Sequence, residues 1–136
     1  MLIFPSAEWV AAWVSSTNDD ADFRAAGQGW VGTVGVVVQD GPKGRPSFIR
    51  LNGREGRWSS YSVLKAPDPA SVERIRLTAR YAVWQQVIRQ ELNPIRGVLQ
   101  GRVIVRGHLP DLLRYRGAIL VMCENAGRMD TTFPVA

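Results

Sequence analysis

The chain is poor in the residues from which metal and redox sites are built. Its 136 residues include one cysteine, Cys123, and one histidine, His108, which excludes an intramolecular disulfide and a Cys/His zinc cluster. No run reaches the ~18 apolar residues of a membrane span, and the N-terminus lacks the basic start and long apolar stretch of a secretory signal. The sequence therefore predicts a soluble, cytoplasmic protein without a metal or other cofactor.

The composition is that of a globular protein with a basic surplus. Hydrophobic residues make up 46% of the chain and charged residues 21%, and 17 basic against 12 acidic side chains give a net charge of +5. The length fits a single domain, residues 1–136, large enough to bury an ordinary core. The surplus of positive charge favours an anionic partner, whether lipid headgroup, phosphate compound or nucleic acid.

The first half of the chain changes from a helical to an extended pattern. Ser6 is a good N-cap for a helix whose apolar face holds Trp9, Val10 and Trp13, and the residues from Asn18 to Asp20 cap a short helix that Gly27 ends. Alternating or continuous apolar residues then predict strands over residues 30–39, 47–51, 57–64 and 74–80. The sequence between the second and third of these, residues 52–56, predicts a hairpin with a bulge.

Helical spacing dominates the second half. Residues 81–88 carry an apolar helical face, Asn93 and Pro94 begin another short helix, residues 102–106 form one more strand, and a long helix is predicted from Leu109 to about Gly127. The sum is an α+β domain with one mainly antiparallel sheet, helices packed on one face, and a basic opposite face.

No set of side chains predicts catalysis. Gly27 to Gly32 matches the letters G-x-G-x-x-G, but a helix precedes it and a strand follows it, the reverse of a dinucleotide site. His108 and Cys123 fall at opposite ends of one predicted helix, too far apart for a nucleophile and its base. The aspartates at positions 19, 20 and 22 are typical of helix caps. We therefore expect a protein that is not an enzyme.

Arginines alternate along the strand from Arg74 to Arg80 and leave two interpretations open. Arg74, Arg76 and Arg80, with Arg50 and Arg57, form either a solvated face that prevents sheet-to-sheet association or a surface for transient contact with an anionic membrane. Nucleic-acid binding is less favoured, because no aromatic residue is interleaved with these arginines. Arg116, on the apolar stripe of the last helix, either extends to solvent or meets a ligand headgroup.

A specific pattern runs from Trp84 to Leu113. A helix with Trp84 is followed by Leu92-Asn93-Pro94, by Leu99, by a basic and apolar strand between Gly101 and Gly107, and by a Leu-rich helix. This order resembles the sterol carrier protein type 2 domain family, in particular its stand-alone bacterial members, and the likeness extends over nearly the whole chain.

The resemblance implies a five-stranded, mainly antiparallel sheet with helices on one face and an apolar tunnel between them. It implies non-enzymatic binding and transfer of an acyl lipid, such as a fatty acid, fatty acyl-CoA, phospholipid or sterol-like lipid. A scaffold that presents a hydrophobic intermediate, such as a quinone precursor, to partner enzymes is the alternative, and the oligomeric state is left open. The residues expected to bind the ligand are Trp84, Val87, Ile88, Ile95, Leu99, Leu109, Leu112, Leu113, Arg116 and Ile119.

Overall fold

The computed structural model describes residues 1–67 and 71–134, and its centre is a five-stranded sheet. The short strands β1 (Leu2–Ile3) and β7 (Thr131–Thr132) pair separately. The five strands of the central sheet are β2 (Val31–Gln39), β3 (Ser47–Arg54), β4 (Arg57–Leu64), β5 (Ile75–Arg80) and β6 (Ile104–Gly107). Across the sheet they lie in the order β4–β3–β2–β5–β6, and β2 and β5 form the parallel pair among otherwise antiparallel neighbours. The predicted α+β class and mainly antiparallel sheet are confirmed.

Six α-helices accompany the sheet in the described residues: α1 (Ala7–Asn18), α2 (Ala21–Ala26), α3 (Tyr81–Ile88), α4 (Pro94–Leu99), α5 (Leu109–Arg114) and α6 (Arg116–Gly127). Helix α6 contacts both α1 and α3, and α1 and α3 pack against strands of the sheet, so the three helices cover one of its faces. The single C-terminal helix predicted from the sequence was wrong, because the chain leaves the helical conformation at Tyr115, whose side chain packs inward against Trp30. None of these helices is long and apolar enough to cross a membrane.

The local signals in the sequence correspond to observed helix ends. The Ser6 hydroxyl accepts a hydrogen bond from the Trp9 amide, and Asp20 and Asn93 cap α2 and α4 in the same way. The G-x-G-x-x-G letters mark the end of α2 and the entry into β2, as predicted. A Cβ on Gly27 would lie 2.7 Å from the Cα of Gly56 in the β3–β4 turn, so this crossing of two backbones requires glycine.

The outer face of the sheet, away from the helices, is less basic than the sequence suggests. Arg76 pairs with the buried Glu73 at 2.8 Å, and its guanidinium lies over the ring of Phe48, which is itself fully buried. Arg80 lies 3.4 Å from Asp40 in an exposed pair. The predicted solvated arginine face therefore needs correction, because Glu73, just before β5, and Asp40, just after β2, neutralise part of its charge.

Two buried asparagine side chains connect the helices to one another and to the edge of the sheet. Asn125 of α6 accepts from the Ser16 hydroxyl of α1 at 2.6 Å and donates to the Asp20 carboxylate at 2.9 Å. Asn18 accepts from the Trp58 amide and donates to the Trp58 carbonyl, so it occupies the free edge of β4. Because buried polar groups are costly when unpaired, these contacts fix the positions of α1, α2 and α6.

Replacing Asn125 by Ala is expected to lower the free energy of unfolding by ~1–3 kcal/mol, because Ser16 and Asp20 lose their buried partner. Urea denaturation measures the change, and Asn52→Ala at an exposed position of β3 is the control with little expected effect.

The same variant has an expected pH dependence. The hydrogen bond from Asn125 lowers the pKa of Asp20 from its ordinary value of 3.8, so the stabilisation is present above that pH and decreases as the pH falls below it. The difference between the wild type and Asn125→Ala should therefore narrow in acid, and a difference that widens there would contradict this role for Asp20.

Candidate functional site

An apolar cavity of about 90 Å³ lies between the inner face of the sheet and the helices. Strands β2 to β5 form its floor, and α1, α3 and α6 form most of its roof. Its lining atoms are almost entirely apolar. The lining residues are Phe4, Trp9, Trp13, Phe23, Gly27, Trp30, Val34, Val36, Ile49, Gly53, Arg54, Gly56, Arg57, Trp58, Ile75, Leu77, Trp84, Val87, Ile88, Tyr115, Ala118, Ile119, Met122, Cys123 and Ala126.

All five tryptophans of the chain line this cavity. They are far apart in the sequence: two lie on α1, one precedes β2, one begins β4 and one lies on α3. Four of the indole N–H groups donate to protein oxygens at 2.8–3.0 Å, the acceptors being Thr131 Oγ1 and the carbonyls of Met122, Gly32 and Val37. Because their polar edges are already satisfied, these indoles offer the cavity chiefly their apolar ring surfaces.

Helix α6 supplies a softer part of the wall. Ala118, Ile119, Met122, Cys123 and Ala126 face the cavity from this one helix. Burial raises the pKa of the Cys123 thiol to about 12, so this side chain is neutral at physiological pH and is an apolar wall group. An unbranched methionine and two alanines allow this side of the cavity to change shape more easily than the aromatic side.

One end of the cavity reaches two arginines at the β3–β4 hairpin. Arg54 and Arg57 form a cross-strand pair, both are exposed, and both contribute to the cavity lining. Gly27 and Gly56 lie beside them, where α2 crosses the hairpin. The lining is therefore apolar, and the charged side chains of Arg54 and Arg57 are exposed beside it, with Glu55 between them in the chain.

The structure brings together four of the ten side chains expected to bind a ligand. Trp84, Val87, Ile88 and Ile119 lie in the cavity wall. The other six are outside it: Leu112 is buried in the core, Ile95 is partly buried against the core, and Leu99, Leu109, Leu113 and Arg116 are exposed. Helical spacing correctly identified apolar stripes on α3 and α6, but the exposed leucines belong to the short helices α4 and α5.

The sequence reasoning missed the aromatic wall and the sheet floor. The sequence places Trp9 and Trp13 on the apolar face of the first helix and Trp30 and Trp58 in predicted strands, and it does not indicate that they border one space. The inner residues of β2 and β5, such as Val34 and Leu77, follow the predicted alternation. Alternation identifies the buried face of a strand but cannot show whether that face borders a void.

In the described residues, the structure does not bring together the reactive and acidic side chains that the sequence drew attention to. His108 stands at the exposed start of α5 and Cys123 lies in the cavity wall on α6, so the two belong to different helices. Asp20 caps α2, as expected for the aspartate cluster. Within residues 1–67 and 71–134, no three His, Cys, Asp or Glu side chains are grouped as metal ligands would be.

Comparison with known proteins gives structural similarity without sequence similarity. No protein-family model matches the chain, and no curated protein matches it. A crystal structure of sterol carrier protein 2 superposes with a TM-score of 0.82 at 20% identity, covering 91% of this chain and 97% of that one. A Thermus thermophilus protein described as possibly a sterol carrier protein gives 0.81 at 19% identity, covering 93% and 90%.

A third solved structure is more distant. The ubiquinone synthesis protein UbiJ-SCP2 gives a TM-score of 0.51 at 15% identity, covering 85% of this chain and 90% of that one. At these identities the similarity concerns the fold. The superpositions over 90% or more of both chains in the first two structures therefore show that this chain has the sterol carrier protein 2 fold.

Proposed function

We propose that this protein binds the hydrocarbon part of a lipid between its sheet and its helices and carries it without transforming it. The observation that supports this most directly is the cavity whose wall contains all five tryptophans, most with their N–H groups bonded elsewhere. The sterol carrier protein 2 fold of the chain agrees with a carrier role.

The driving force for such binding is the transfer of apolar surface from water. Each buried methylene contributes about 0.8 kcal/mol, so a long acyl chain supplies on the order of 10 kcal/mol before the costs of ordering it. The interior of this cavity has few polar groups to select a particular headgroup. Binding is therefore expected to depend on chain length and shape more than on the chemistry of the lipid head.

A long chain requires the cavity to expand into a tunnel. At about 90 Å³ it is smaller than the roughly 150 Å³ cavity that admits a benzene molecule in an engineered protein. Helix α6 is the part of the wall suited to this change, because it follows the non-helical Tyr115 and its first turn has no side-chain cap. Moving the first turn of α6 away from the sheet would lengthen the void along Ala118 and Ile119, while the hydrogen bonds at Met122, Cys123 and Asn125 hold the rest of the helix.

Arg54 and Arg57 provide a place for a lipid headgroup. Both are exposed residues that contribute to the cavity lining, whereas Arg116, the candidate from the sequence, is exposed and outside the lining. An acyl chain inside the apolar space would leave its carboxylate or phosphate near these two guanidinium groups. Arginine is suited to both anions because its planar donors match their paired oxygens.

Binding can be measured by quenching of tryptophan fluorescence with a dibrominated fatty acid. Because all five tryptophans line the cavity, a brominated chain inside it is expected to quench most of the emission. Replacing Ala118 by Leu fills part of the void from α6 and should weaken binding by roughly tenfold or more, since lost methylene contacts cost ~0.8 kcal/mol each.

The matched control is Ala82→Leu, which adds the same atoms at an exposed position of α3. Urea denaturation of both variants checks that they remain folded. If Ala118→Leu and Ala82→Leu bound the fatty acid with equal affinity, the fatty acid would bind outside the cavity. If the brominated fatty acid did not quench the wild type, the proposed function would be wrong.

The aromatic wall also supports a second candidate, the holding of a lipid with a ring, such as a quinone precursor, for partner enzymes. Indole faces pack well against flat rings, and the structural likeness to the ubiquinone synthesis protein is in keeping with such a ligand. Competition against the brominated fatty acid separates the two candidates. A prenylated quinone that displaces it far better than palmitate does would favour this second function.

Cys123 gives an independent measure of the occupied cavity. With a thiol pKa of about 12, its alkylation by iodoacetamide should be slow at pH 8 and rise about tenfold per pH unit as thiolate forms. A bound fatty acid should slow the reaction further, as followed by mass spectrometry of the intact protein. Fast alkylation at pH 8 that palmitate leaves unchanged would show that the thiol does not border the binding space.

A further inference from the structure

The part of the chain between Glu91 and Glu124 is strongly positive. It contains five arginines and one carboxylate, Asp111. That carboxylate is buried and receives two hydrogen bonds from Arg74, at 2.6 and 3.0 Å, so it adds little negative charge at the surface. The exposed charge of α5 and of the segments on either side of it is therefore positive.

Helix α5 presents large apolar side chains to solvent beside this charge. Leu109 and Leu113 are 56% and 64% exposed and stand four residues apart, so they share one face of the helix. The opposite face is anchored by Asp111 and Leu112, which are both buried. The exposed leucines thus belong to a helix that is held firmly on its inner side.

Another exposed apolar residue is linked to α5 through Arg74. Arg74, the partner of Asp111, also donates to the carbonyl of Val31, a residue that is 51% exposed. Arg114 of α5 extends toward Gly29, two residues before Val31, where the Gly29 amide donates to the Glu55 carboxylate. We call the group formed by Val31, Leu109 and Leu113 with the exposed basic residues Arg106, His108, Arg114 and Arg116 the α5 surface.

We propose that the α5 surface docks onto the surface of an anionic lipid bilayer. Leucines that face solvent between basic side chains are the arrangement with which interfacial helices enter the boundary of headgroups and acyl chains. Arginines beside them are attracted by anionic lipids, within about a Debye length of the membrane. A second copy of the chain fits less well, because two such surfaces would bring like charges together.

Docking there would place the bilayer next to the cavity. Tyr115 directly follows α5 and lies in the cavity wall, with its ring 5.1 Å from that of Trp30 in an edge-to-face contact. Its buried hydroxyl has no hydrogen-bond partner among the described residues. The junction of α5 and α6 is therefore the part of the wall nearest to the proposed membrane contact. The docking itself does not depend on lipid inside the cavity.

Sedimentation with vesicles tests the proposal on the full chain. Vesicles of phosphatidylcholine with about a third phosphatidylglycerol should bind the wild type, and vesicles of phosphatidylcholine alone should bind it much less. Leu109→Ser with Leu113→Ser is expected to reduce binding to the anionic vesicles by roughly tenfold, since apolar burial is lost. Arg114→Glu with Arg116→Glu should reduce it similarly, and added salt should weaken wild-type binding.

Leu99→Ser is the matched control, because Leu99 is a leucine of α4 that is 83% exposed and lies outside the α5 surface. If Leu99→Ser reduced binding to the anionic vesicles as much as Leu109→Ser with Leu113→Ser does, the assignment would be overturned. The same holds if the wild type showed no preference for anionic vesicles. Sedimentation velocity showing a wild-type dimer that Leu109→Ser with Leu113→Ser dissociates would assign the surface to a second copy instead. The same double variant should still be quenched by brominated fatty acid added without vesicles, which separates failure of docking from failure of the cavity.

Discussion

The positions of the helices depend on polar contacts at the rim of the molecule. Asn125 joins α6 to α1 and to the cap of α2, Asn18 joins α1 to the edge of β4, and Gln90, just after α3, donates to the Cys123 carbonyl of α6 at 2.9 Å. Such amides have specific partners and fixed geometry, whereas apolar contacts tolerate sliding. Because the helices are held at their ends and edges, the space at the centre does not have to be filled for the fold to form.

Helices held in this way can form a cavity with one rigid side and one side whose side chains adjust. Tryptophans on α1 and α3 are fixed by their ring packing and by hydrogen bonds from Trp9, Trp13 and Trp84 to the rest of the protein. On α6, small side chains and the unbranched Met122 border the same space. These side chains can adjust, although the backbone of α6 accepts hydrogen bonds from Trp13 and Gln90. The difference between the two walls supports the proposed binding of a molecule larger than the cavity of about 90 Å³, because one wall keeps its shape while side chains of the other can adjust.

The sequence predicted the features that depend on neighbouring residues and missed those that depend on tertiary packing. The caps at Ser6 and Asn93, the bulged hairpin and the alternation along β5 depend on a few neighbouring residues, and all were found in the structure. The resemblance to sterol carrier protein type 2 located the space between sheet and helices. Which stripe borders that space depends on tertiary contacts, so the sequence places the leucines of α4 and α5 inside it. Of the tryptophans it places Trp84 there, but not the four on α1, at the entry of β2 and in β4.

The distribution of surface charge also depends on tertiary contacts that the sequence does not reveal. Alternating arginines on β5 suggested a basic sheet face, yet the buried carboxylates of Glu73 and Asp111 neutralise Arg76 and Arg74. These pairings also fix structure, since Arg74 connects β5 to α5 and to the entry of β2. With Asp111 used in this way, the segment around α5 retains positive charge without an exposed carboxylate of its own. The ion pair between Arg74 and Asp111 thus neutralises an arginine next to the sheet. Because Asp111 is used in this pair, it does not neutralise the exposed arginines around α5, whose leucines face solvent.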